Sequence, residues 1–135
     1  MKIAVAGKGG VGKSTIAGIL ARGFAASGRR VIAVDVDPDA NLARCIGLSE
    51  EEISSIVPLS KMRDLIEERT GGGSGGFFIL NPKVDDIPEK FSVLHEGVRF
   101  LQFGSPRKGG SGCYCPENAF LRQLMAHLLI GREDV

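Results

Sequence analysis

Apolar and polar positions recur with two different periods along this chain, and the switching between them predicts an α/β fold. Residues 2–6 read as a short apolar strand that runs into a glycine loop over 7–12. From Lys13 the spacing turns helical. Ile16, Ile19, Leu20 and Phe24 recur at intervals of three and four and predict one inward face, with alanine as helix-favouring filler. Gly28 stands where the glycine after a helix belongs. Arg30 to Asp35 (RVIAVD) is apolar on both faces, the character of a buried parallel strand. Strand, helix and strand in succession predict a right-handed βαβ unit.

Ser49-Glu50-Glu51-Glu52 is a capping-box pattern that predicts a short helix. A longer helix is expected over 58–69, with Met62, Leu65 and Ile66 as its apolar stripe. The glycines of 71–76 break the chain, Phe77 to Leu80 (FFIL) reads as a short strand, and Val98 to Phe103 alternates as another. Residues 104–112 form a glycine-rich loop with Arg107 and Lys108. Pro116 to Ile130 is a helix with Phe120, Leu121, Leu124, Met125 and Leu128 inward. There is no internal repeat, and the glycine runs interrupt one domain. Gly131 to Val135 reads as a turn into a further strand, so the sheet is expected to continue beyond the chain.

Composition narrows the class. Of 135 residues 19 are glycine, in clusters at 7–12, 71–76 and 104–112 that mark loops able to hold ligands. A formal net charge of +1 provides no global field for nucleic acid or an anionic membrane, so neither is expected as a partner. No apolar run approaches the ~20 residues of a membrane helix. The N-terminal apolar stretch is too short for a secretion signal. A cytoplasmic location is the expectation. Three cysteines argue against a closed disulfide framework, and close spacing of two of them points to metal or redox work.

Gly7-Lys8-Gly9-Gly10-Val11-Gly12-Lys13-Ser14 matches G-x-x-x-x-G-K-[ST] between a predicted strand and a predicted helix. Glycines let successive backbone N–H groups turn inward on phosphate oxygens, and the following helix aims its positive end at the same anion. Lys13 is expected at the β- and γ-phosphates, the Ser14 hydroxyl on Mg²⁺, and Thr15 near the α-phosphate. The segment GKGGVGKST resembles the deviant Walker A motif of the Min-type, ParA-type and nitrogenase-iron-protein ATPases. That resemblance implies a P-loop NTPase fold with a mainly parallel sheet flanked by helices, here spanning residues 1–135 as the N-terminal part of one domain. It also implies an ATP-dependent homodimer in which Lys8 reaches the partner's nucleotide.

Asp35-Val36-Asp37-Pro38-Asp39 ends the second predicted strand, at the sheet end where ligands of open α/β folds gather. The same resemblance makes Asp37, an aspartate before proline, the residue that orients water for attack on the γ-phosphate and touches the Mg²⁺ shell. Asp35 is expected to support the Mg²⁺ shell or the phosphate loop. Asp39 reads as an N-cap for residues 40–46.

Cys113-Tyr114-Cys115 precedes Pro116 and Glu117, at a helix start that favours thiolate. One C-x-C supplies two ligands, and two chains at a two-fold axis supply the four that suit a thiophilic metal. Incidental loop cysteines and a strained redox pair remain open on spacing alone. Residues 108–118 (KGGSGCYCPEN), Asn81-Pro82-Lys83-Val84 and residues 34–39 resemble the carbon monoxide dehydrogenase accessory ATPases. That resemblance implies a nickel-insertion metallochaperone with ATP or ADP, Mg²⁺, and one Ni²⁺ or Zn²⁺ per dimer at Cys113 and Cys115, and carbon monoxide dehydrogenase as client. It also implies that the second switch aspartate and the adenine-binding segment lie outside these 135 residues, leaving this stretch alone weakly active or inactive. A Min/ParA-type positioning ATPase and an iron–sulfur reductase are the competing readings. Cys45, His95 and His127 read as packing or surface residues.

Overall fold

The structure is a computed structural model that describes residues 1–37, 39–71, 77, 79–104 and 116–130. α1 (Lys13–Ala26) leads into β1 (Val31–Asp35), followed by α2 (Leu42–Ile46) and α3 (Glu50–Ser55). A 3-10 turn at Leu59–Lys61 precedes α4 (Arg63–Thr70), α5 (Ile87–Phe91), β2 (Val93–His95), β3 (Val98–Gln102) and α6 (Pro116–Ile130). The sheet order is β1-β3-β2. β1 and β3 run parallel from Val31↔Val98 to Asp35↔Gln102, and β2 pairs antiparallel with β3. The β2–β3 hairpin turns at Glu96 and Gly97, both at positive φ (46° and 83°), a two-residue geometry that matches strand twist. The sheet is therefore mixed, with its longer pairing parallel.

Alternation along the strands splits the core in two. Ala33, Val98 and Phe100 pack with α1 and α2 residues Ala21, Leu42, Ala43 and Ile46. Leu101 and Phe103 pack on the other side with Ile66, Ile87, Phe120 and Leu124 from α4, α5 and α6. β3 is thus covered on both faces, as a central parallel strand requires.

Several elements depart from expectation. Residues 2–6 form no strand; they run exposed and unladdered beside α1. An apolar pattern marks a segment for burial, but a strand also needs ladder contact with a neighbour, and these residues stand across a groove of about 830 Å³ from the edge of β1. That groove runs the length of β1 and is walled by residues 1–7, α1 and β1. Of Phe77 to Leu80, the described residues 77, 79 and 80 are likewise not strand, and Phe77 is 90 % exposed. The Ile79 N–H donates to Thr70 O at the end of α4.

The predicted inward face of α1 is also wrong. Ile16 and Ile19 are 52 % and 65 % exposed, and the buried residues are Gly18 and Ala21. α1 packs through small side chains because α2 comes so close. A Cβ on Gly18 would lie 2.6 Å from Cys45 Cβ and 2.8 Å from Cys45 O. The helix expected over 58–69 is broken at Met62 (ψ 72°) into the 3-10 turn and α4. Asp39 is not an N-cap; α2 starts at Leu42 after Asn41. The capping box at Ser49 is formed in both directions, Glu52 N–H to Ser49 Oγ and Ser49 N–H to Glu52 Oε2. The helix over 116–130 forms as expected, with Phe120 and Leu124 fully buried. Among the described residues no helix is long and apolar enough to cross a membrane.

Candidate nucleotide site

The phosphate loop meets α1 at Gly12, whose backbone (φ 86°, ψ 19°) is left-handed, a conformation glycine adopts without cost. Ile16 N–H donates to Gly12 O and closes the first helical turn. No side chain caps this helix, and its first turn holds no acidic residue. The N-terminal amides of α1 are thus offered without the internal anion that caps most helices. Lys13 folds back over the loop, its Nζ donating to Lys8 O at 3.2 Å, while its aliphatic carbons pass over Gly7. Lys13 and Ser14 are half-buried; Lys8, Gly9, Gly10, Val11, Gly12 and Thr15 are exposed.

The carboxyl end of β1 forms the opposite wall. Asp35 is 5 % exposed, and both of its oxygens are taken by backbone amides: Asp37 N–H to Oδ1 at 3.0 Å and Leu42 N–H to Oδ2 at 3.1 Å. Asp37 is half-buried and its Oδ1 accepts from Asp39 N–H at 3.0 Å, while Ala40 N–H donates to Asp37 O. Gly7, Lys13, Ser14, Asp35 and Asp37 all line the one groove between α1 and β1. A lysine, a hydroxyl and carboxylates on the walls of one cleft, beside an uncapped helix start, suit a phosphate chain with a hard cation. The donors are oxygen atoms, which fits Mg²⁺.

The cleft brings together Lys13, Ser14 and Asp37, three of the residues singled out in the sequence. Asp35, expected to support the Mg²⁺ shell or the phosphate loop, lines the same cleft with both oxygens bonded to backbone amides of its own turn. Sequence reasoning missed the tie between α4 and α5, where Arg69 grips Asp86 with both guanidinium nitrogens at 2.7 and 2.8 Å and Lys90 adds a third bond. The hydrogen bonds from Arg69 and Lys90 hold the Asp86 carboxyl well below the usual carboxylate range. Cys45 packs against the α1 side of the core, His95 sits near Glu52 at 3.7 Å, and His127 is exposed. Among the described residues no cluster of three or more His, Cys, Asp or Glu side chains could hold a metal. Cys113 and Cys115, with Arg107 and Lys108, lie outside the described residues. β3 ends beside Asp35, where Phe103 N–H donates to Asp35 O at 2.9 Å.

Comparison with known proteins gives this cleft its relatives. The model of the CobQ/CobB/MinD/ParA nucleotide binding domain matches residues 2–129. The carbon monoxide dehydrogenase accessory protein CooC of Rhodospirillum rubrum is 55 % identical over 136 residues, covering 99 % of this chain and 52 % of that protein. An uncharacterized ATP-binding protein of Methanocaldococcus jannaschii is 48 % identical over 138 residues, covering 100 % of this chain and 52 % of its own. Nitrogenase iron protein 2 of Methanothermobacter thermautotrophicus is 28 % identical over 134 residues, 99 % of this chain and 42 % of that one. The chain spans about half the length of the curated relatives it matches. With the phosphate loop, the uncapped helix and the acidic turn in one cleft and the family model matched over almost all of its residues, this chain belongs to the CobQ/CobB/MinD/ParA nucleotide-binding family.

Proposed function

We propose that this chain is the N-terminal part of an ATP-hydrolysing metallochaperone that helps load nickel into carbon monoxide dehydrogenase, working as a nucleotide- and metal-dependent homodimer. The observation that carries the reading is the 55 % identity to a carbon monoxide dehydrogenase accessory protein along essentially the whole chain.

The loop amides of residues 7–15 and the start of α1 bind the phosphates, and Lys13 swings from Lys8 O onto the β- and γ-oxygens. Ser14 and the Asp37 side hold Mg²⁺, which when bound neutralises charge developing on the phosphate oxygens. Asp37 orients a water for in-line attack. The new bond forms from water oxygen to the γ-phosphorus, the bond to the bridging oxygen breaks, and ADP leaves with that electron pair. Lys8 contacts the nucleotide of the other subunit. Cys113 and Cys115 from two subunits carry Ni²⁺ or Zn²⁺ as cargo, and nucleotide binding shifts the dimer between a capturing and a releasing state.

The test uses the intact protein. ATP turnover, oligomeric mass with and without ATP, and bound metal per chain are measured for wild type, Asp37→Ala, and Cys113→Ser/Cys115→Ser. The expected results are loss of turnover in the first variant and loss of metal, with nucleotide binding kept, in the second. Undiminished turnover in Asp37→Ala would remove Asp37 from the chemistry. ATP-dependent binding to lipid or DNA without metal would favour a positioning ATPase. An iron–sulfur absorption band would favour a reductase.

A further inference from the structure

Asp35 is a charged side chain placed almost out of solvent, and no step of the proposed hydrolysis uses it. A carboxylate is buried at a cost unless hydrogen bonds replace water. Here two backbone donors do so, one on each oxygen, and they come from the two ends of a single turn. Asp37 N–H lies at the start of that turn. Leu42 N–H lies at its end and is the first residue of α2. The residue in the capping position, Asn41, makes no side-chain cap bond, so Asp35 acts as the cap from seven residues away. Its negative charge also suits the positive end of a helix.

The turn between these two bonds needs holding. Ala40 sits at φ 48°, a left-handed conformation that is strained for a residue with a Cβ. Such a conformation persists where its surroundings over-determine it. The Asp35 main chain is itself fixed in the parallel ladder, with its carbonyl accepting from Phe103 N–H. The far anchor, α2, is pressed onto α1 at the Gly18–Cys45 contact. Asp37 is therefore held between β1 and α2, which packs on the helix that follows the phosphate loop, and the Asp35 carboxylate closes the clamp.

From this the structure assigns to Asp35 the role of positioning residue: its two oxygens hold the backbone amides of Asp37 and Leu42 and thereby fix Asp37 in the groove it shares with Gly7, Lys13 and Ser14. The assignment rests on Asp37 acting in hydrolysis. It explains why an aspartate stands here. Asparagine has the same shape but one acceptor, and its amide would confront one of the two N–H donors.

The test is Asp35→Asn in the intact protein, alone and combined with Asp37→Ala. The single variant is expected to keep Mg·ADP affinity within about 3-fold and to lose roughly 10- to 100-fold in kcat, the scale of a catalytic group displaced by about an ångström. In the Asp37→Ala background the same substitution is expected to cost almost nothing more, because it acts through the residue already removed. Multiplicative losses would show an effect independent of Asp37 and overturn the assignment, as would wild-type kcat in Asp35→Asn. A third readout stands apart from turnover: amide exchange over residues 37–42 is expected to accelerate at least 10-fold in Asp35→Asn. Unchanged exchange would overturn the clamp. A wild-type protein without ATPase activity would sink the function proposed above and leave the clamp to be judged on exchange alone.

Discussion

At Gly18 one hydrogen in place of a side chain decides how close two helices can come. The contact with Cys45 leaves no space for a Cβ, and the clashing atoms include main-chain carbonyl, which cannot rotate away. Gly18→Val is expected to lower stability by about 1–3 kcal/mol, the usual cost of overpacking, read as a shift of the urea midpoint. Because α2 anchors the turn that bears Asp37, turnover in the intact protein should fall with it. At this scale some residues were legible and others were not. Lys13 and Ser14 announce themselves through a loop whose spacing has a mechanism. The bonds of Asp35 could not be read from the sequence because its partners, amides two and seven residues on, come within reach only once the turn has formed. Gly18 was passed over because helical spacing counts apolar side chains, and here the packing surface is the lack of one.

Elements tell a similar story with different causes. The capping box at Ser49 was readable because both partners lie within four residues, so local geometry alone defines it. The face of α1 was misread because its large residues turn toward the groove while Gly18 and Ala21 meet α2. β2 went unseen as a three-residue strand, too short for periodicity to register. The connection of α4 to α5 is the element-scale feature with the clearest pH signature. Asp86 has a lowered carboxyl pKa, so its stabilising effect is present above the unfolded carboxylate value near ~3.9 and is lost as pH falls below it. Asp86→Asn should therefore unfold at lower denaturant than wild type at pH 7. The two midpoints should converge as pH drops below about 4, where the Asp86 carboxyl of the unfolded wild-type chain takes up its proton while that of the folded protein still resists it. A midpoint gap that stayed constant from pH 7 to pH 3 would contradict this account.

For the whole molecule, the sheet is asymmetric. β3 has a strand neighbour on each edge and is covered on both faces, while among the described residues β1 has one edge without a strand partner. Across that gap lie Met1 and Ile3, 66 % and 52 % exposed, and Ile32 of β1 is itself 45 % exposed. An open strand edge flanked by aliphatic side chains is a template for non-native pairing between molecules. In colloidal terms, this chain by itself should cloud with rising concentration even while most of each molecule stays folded. Ile32→Lys, a charge set in the middle of that edge, should raise the concentration at which light scattering begins. The melting temperature should move by only a few degrees, because the replaced side chain was never well covered. One uncovered strand margin would then set a limit on how concentrated a solution the molecule tolerates.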